Sequence, residues 1–208
     1  MKLLNNNTKK LTSDFDDNPR AICLRNQFPT SAQLIRAYAP DRQYYCDRNL
    51  EQAIAKNAPT LALVEATYGE EVTLTLLYCH VTNAIMNLGE ESDVITSDLM
   101  SVSRAILSTE RARTLSLASI VAFFHRLSCG EYKIFGKLTP RKILEAFHEY
   151  LPKAIERERS AKDTAEKAKL EAERKLHEKS AITFEEFKSI KGYGEEIQNP
   201  LDIIFPHK

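Results

Sequence analysis

Residues 70–89, EEVTLTLLYCHVTNAIMNLG, decide the fold class, and they read two ways. Their β-branched valines and threonines permit a strand over 72–81. As a helix, the same residues place Val72, Leu76, Cys79, Ala84 and Met86 beside Leu74, Leu77, Val81, Ile85 and Leu88, apolar nearly all round. Such a helix belongs at the centre of a core. Two glutamates suit the positive end of a helix dipole, and Gly89 suits its stop. The helix reading is adopted.

Working outward, the same punctuation recurs. Pro59 fits the first turn of a helix over 59–68 that Gly69 stops. Thr30 and Gln33 form a capping box before Leu34, Ile35 and Tyr38, and Pro40 ends that helix. Asp47 is expected to cap a helix carrying Leu50, Ala53 and Ile54. Thr96 caps a segment with Leu99, Met100, Val102 and Ile106, and Ile95 is placed to staple onto Met100. Ser116 caps LASIVAFFHRLSC, closed by Gly130, and Thr139 with Pro140 opens RKILEAFHEYL. Only 6 glycines occur, too few for many tight hairpins, which again favours helices. The predicted fold is all-α, a compact multi-helix bundle with a charged C-terminal helical extension and a short tail.

The domain reading is a mobile arm over 1–29, a helical core over 30–151, a charged extension over 152–181, and a short helix plus tail over 182–208. Pro152 either kinks the helix that it follows or starts a new one. Residues 153–179 carry nine Lys or Arg and seven Asp or Glu. Glu158 with Lys162, Asp163 with Lys167, and Glu171 with Lys175 are helix-supporting i,i+4 pairs, each contributing roughly 0.3–0.5 kcal/mol. The alanine stripe (Ala154, Ala161, Ala165, Ala168 and Ala172) is too thin for a coiled-coil seam. The TFEE box at 183–186 opens the short helix.

The 208 residues, 43% of them hydrophobic, suffice for one sizeable core. The four cysteines contain no C-x-x-C pair, so reduced thiols and a cytoplasmic setting are expected. No run reaches the roughly 18 apolar residues of a membrane helix, so no membrane partner is expected.

The zero net charge hides an asymmetry. Residues 57–103 hold seven acids and no Lys or Arg, while residues 111–142 hold seven bases and one acid, Glu131. Three readings follow. The blocks neutralise each other, the basic block meets nucleic acid, or a protein partner docks on either patch. For the second, Arg126, Lys133, Lys137, Arg141 and Lys142 would hold phosphates of DNA or RNA, with Tyr132 and Phe135 stacking on bases. The free amides at the helix start near Pro140 would assist.

Catalytic signatures are missing. The chain has no phosphate loop, no dinucleotide fingerprint and no nucleophile elbow. His125 and Cys129 have an i,i+4 spacing that can hold a metal, with Cys79 and His148 as the partners such a site would need. No cofactor is expected.

APTLALVEATYGEE, ITSDLMSVSRAIL and FFHRLSCGEYKIFGKLTPRKILEAFHEY resemble a family of small helical proteins of unknown function from phages and conjugative elements of Bacteroidota-type bacteria. Coverage is 57–150. That family shows an aromatic-Arg helix, a Gly-x-Tyr-Gly-like loop and an amphipathic helix; here Lys133 replaces the second Gly. The resemblance implies a mobile-element context and no established activity. The tail QNPLDIIF is similar to peptides that bind replication sliding clamps, through Gln198, Leu201, Ile204 and Phe205, although bacterial versions place the Leu-Phe pair one residue nearer the Gln. A replication protein is the partner this implies. Docking of Ile203, Ile204 and Phe205 back on the core is the preferred reading of the tail. The resulting expectation is a non-enzymatic accessory or adaptor protein of a mobile element, associated with nucleic acid or replication. The alternatives are a protein-binding scaffold without nucleic-acid contact and a metal-dependent enzyme.

Overall fold

The computed structural model describes residues 18–87, 96–134 and 138–180, and these contain helices and no β-strand. Helix α1, Pro19–Gln27, falls where an arm was expected over 1–29. Asn18 accepts from the Arg20 amide, Pro19 takes the first helical position, and Ala21 and Leu24 are buried. Helix α2, Ser31–Ala37, has the expected capping box. The Thr30 hydroxyl accepts from the Gln33 amide at 3.3 Å, and the Gln33 carbonyl accepts from the Thr30 amide at 3.1 Å.

A 3-10 turn, Pro40–Arg42, leads into α3, Gln43–Arg48, and then α4, Leu50–Ala55. Asp47, expected as a cap for α4, lies inside α3 and turns to another partner described below. Helix α5, Leu61–Tyr68, is capped by the Thr60 hydroxyl, so Pro59, expected in its first turn, lies just before the helix. It ends at Gly69, whose φ of 91° is a backbone form that side chains with a Cβ disfavour. Helix α6, Glu70–Asn87, confirms the helix reading of the opening stretch, although Met86 is exposed rather than buried. Helices α7, Thr96–Ser108, and α8, Glu110–Arg113, follow.

Helix α9, Leu117–Ser128, is capped by Ser116 as expected. Leu117 to Phe124 are all buried, so this helix is walled on every side. Helices α3, α4 and α6 pack on it, while α1 packs on α5, and α5 and α7 on α6. Helix α10, Pro140–Ser180, starts with the Thr139 hydroxyl accepting from the Lys142 amide. It contains Pro152 without a break, so no new helix begins there.

The chain divides into two compact units, Met1–Asp163 and Thr164–Lys208. In the first, Ile143, Phe147, Tyr150, Ala154 and Glu158 of α10 are all buried, a helical spacing that crosses the composition change at 152. Phe147 and Tyr150 meet Phe123 of α9 at ring distances of 5.1 and 5.3 Å. In the second, Glu171 with Lys175, Lys169 with Glu173, and Arg174 with Glu178 pair along the exposed helix.

Helices α5 and α9 begin side by side. Thr60 and Ser116 form an antiparallel bridge, in which the Leu61 amide donates to the Leu115 carbonyl and the Leu117 amide to the Pro59 carbonyl. This leaves the Ser116 amide buried and needing an acceptor. Glu158, only 4% exposed, supplies it at 2.7 Å and also accepts from the Ser119 hydroxyl at 2.6 Å. Its second oxygen meets Lys162 Nζ at 3.2 Å. A side chain 42 residues downstream thus caps α9.

Two contrasting variants test this. Glu158→Ala strips an ionised acceptor from two buried donors and should cost about 3 kcal/mol in urea unfolding. Lys162→Ala removes only the half-exposed arm of the pair and should cost less than about 1 kcal/mol. Equal losses would mean that the carboxylate works as a surface ion pair.

Candidate interaction surfaces

The residues proposed to hold nucleic acid have unequal settings. Arg126 lies near the end of α9 and is turned into the fold. Its Nε and Nη2 both donate to Asp47 Oδ1, at 2.9 and 2.8 Å, and both side chains are mostly covered. Burial works against its charge, but the Asp47 hydrogen bond and charge outweigh burial and raise its pKa. Tyr132 is half-buried, with its ring 5.6 Å from that of Phe123, and burial pushes its hydroxyl up to about 12. Both residues are built into the fold.

Lys133 is exposed. Arg141 is 88% exposed and bonds Glu145 one turn on at 2.8 Å. Lys142 is partly covered, while Phe135 and Lys137 lie outside the described residues. Beside the loop is a hollow of about 580 Å³ lined by Glu131, Glu145 and Glu149 against Lys133 and Lys142, with Tyr132 at its wall. Three carboxylates against two ammonium groups do not make a phosphate track. Elsewhere in the basic block, Arg113 Nη2 approaches Glu65 Oε2 of the acidic block at 2.8 Å. Glu90 and Glu91 lie outside the described residues, as do the tail residues Gln198, Leu201, Ile204 and Phe205.

The second surface was not singled out in the sequence. Helix α3 reads Gln-Tyr-Tyr-Cys-Asp-Arg, and its polar and apolar positions are inverted. Gln43 and Cys46 are buried, and Asp47 turns to Arg126. Tyr44 and Tyr45 are left 60% and 63% exposed. The Tyr44 ring meets His125 edge-on at 5.6 Å, and its hydroxyl accepts from Arg48 Nη1 at 3.1 Å.

Gln43 faces inward because it answers a buried imidazole. His80 Nε2 lies 2.7 Å from the Tyr38 carbonyl, which only accepts, so Nε2 carries the proton. Nδ1 then accepts from Gln43 Nε2 at 2.9 Å, and Gln43 Oε1 accepts from Asn83 at 3.3 Å. The ring stacks on Phe124. Burial lowers the His80 pKa to about 4, against an upward pull from the Tyr38 hydrogen bond.

His125 and Cys129 share the end of α9, with Sγ 3.7 Å from Nε2. Cys79 and His148 do not complete a site with them. Among the described residues no three His, Cys, Asp or Glu side chains converge to hold a metal ion. No described helix is long and apolar enough to cross a membrane.

The buried imidazole sets an acid response. Well above pH 6.5 His80 is neutral in both states and contributes no pH dependence. As pH falls from 6.5 towards 4, the unfolded chain gains a proton that the native state refuses, so stability falls. The loss approaches about 3 kcal/mol by the lower limit. Stability profiles of wild type and His80→Gln should therefore converge as the pH drops through this window; parallel profiles would place the acid response elsewhere. Comparison with known proteins adds no relative: no family model, no curated protein and no solved structure matches the chain.

Proposed function

We propose that this chain is a non-enzymatic protein-binding adaptor in which the basic segment is structural. The observation that carries this reading is the fate of the basic-aromatic residues between 126 and 142. Arg126 is consumed by Asp47, Tyr132 packs on Phe123, and the hollow beside them holds more carboxylates than ammonium groups. A nucleic-acid surface needs those bases free and lying along one track. The ion pair between Arg113 and Glu65 gives direct contact between the two charge blocks. The mobile-element setting rests on the resemblance of residues 57–150 alone, and the clamp-like tail on its sequence alone.

Titration with labelled single- and double-stranded DNA tests the reading at about 50 and about 200 mM salt. The adaptor reading expects no saturable binding at either salt. Binding that weakens roughly a thousandfold over this range, and is lost in Lys133→Glu/Arg141→Glu, would overturn it.

A further inference from the structure

Helix α3 spends polar residues on the interior and tyrosines on the surface. That assignment runs against the usual partition of side chains. The interior positions are fixed by partners: Gln43 by His80, Asp47 by Arg126, and Cys46 by its buried seat one turn after Gln43. With those inside, Tyr44, Tyr45 and Arg48 point outward by helix geometry. They sit on a short helix clamped to both α6 and α9, so they form a rigid platform. Exposed tyrosines beside arginine are the composition of binding hot spots.

The local charge selects among partners. Asp47 is already neutralised by Arg126. Arg48 spends one Nη1 hydrogen on Tyr44 and has no carboxylate partner among the described residues. Among the described residues the carboxylate paired with Arg42 is exposed Asp41, at 3.9 Å. His125 borders the Tyr44 ring. We propose that Arg42, Tyr44, Tyr45 and Arg48 form a docking surface for an acidic segment of a partner protein carrying a leucine or phenylalanine. This rests on the protein-binding reading above and names the partner's chemistry. The arginine forks pair with carboxylates, and the apolar side chain lies on the tyrosine rings.

A nucleic-acid strand fits less well. Adjacent helix residues diverge by about 100°, so the two rings do not form successive stacking platforms.

The test selects a displayed library of random peptides of about twelve residues on the full chain, a length suited to one docked segment. Counter-selection uses Tyr45→Ser/Arg48→Glu, whose exposed positions leave helix content unchanged by circular dichroism. Selected peptides should be rich in Asp and Glu with a Leu or Phe. A synthetic copy should bind the double variant at least about tenfold more weakly in fluorescence polarisation. No enriched sequence, a neutral or basic consensus, or equal binding to the variant overturns the proposal. So does binding of an oligo-dT of about 30 nucleotides that the double variant loses, because α3 is then a strand-binding surface. Salt-sensitive DNA binding that the double variant keeps sinks the adaptor reading instead, and the peptides alone then decide the α3 surface.

Discussion

A buried carboxylate at the start of α9 is the constraint on which the rest of this structure turns. The first two turns of α9 are enclosed on all sides, and the residue before them pairs with the residue before α5. Amides at a helix start have no partner within the helix, and an enclosed start has no water to supply one. Glu158 resolves this with one oxygen on the Ser116 amide and the Ser119 hydroxyl. Burying an isolated anion costs several kcal/mol, and here the donors and the positive helix end offset it. Once Glu158 is fixed, α10 has one register against α9. In that register Tyr150 donates to the Ser119 carbonyl at 2.8 Å and Phe147 reaches Phe123.

A second set of polar contacts fixes the other side of α9. Asp47 with Arg126, and Gln43 with His80 and Asn83, tie α3 to α9 and α6. Hydrophobic contact alone would let so short a helix slide or rotate, since six residues make under two turns. Directional bonds remove that freedom. They also explain why the outward face of α3 is well defined.

Several helices were legible from a cap or a stop residue, but Asn18 and Pro19 open α1 inside the expected arm, and Thr60 caps α5 where Pro59 was expected to begin it. Thr30, Ser116 and Thr139 cap as their sequence context indicates, and Gly69 and Gly130 end helices at positive φ. What failed to show was any role set by a distant partner. Asp47 reads as a local cap because nothing nearby reveals Arg126, 79 residues on. Glu158 reads as one acid in a solvated charged run, and only the packing of α10 shows it buried. The loop after Gly130 drew notice for its basic and aromatic residues, yet Arg126 and Tyr132 are held by the core. Among the described residues the most exposed tyrosines, Tyr44 and Tyr45, lie in α3, whose inward spacing of Gln43, Cys46 and Asp47 is the available signal. It went unread because polar residues are not counted as a core face.

The pairing of Asp47 with Arg126 carries a consequence for how this sequence can diverge. Both arginine donors converge on a single carboxylate oxygen, and both side chains are mostly covered, so either charge left alone there would be costly. Loss of one partner strands the other and loosens the helix that carries the tyrosines. In diverging copies of this chain the two positions are therefore expected to change together or not at all. Position 158 should be bound in the same way to 116 and 119, so its history would follow α9 rather than the variable, charge-rich run in which it sits.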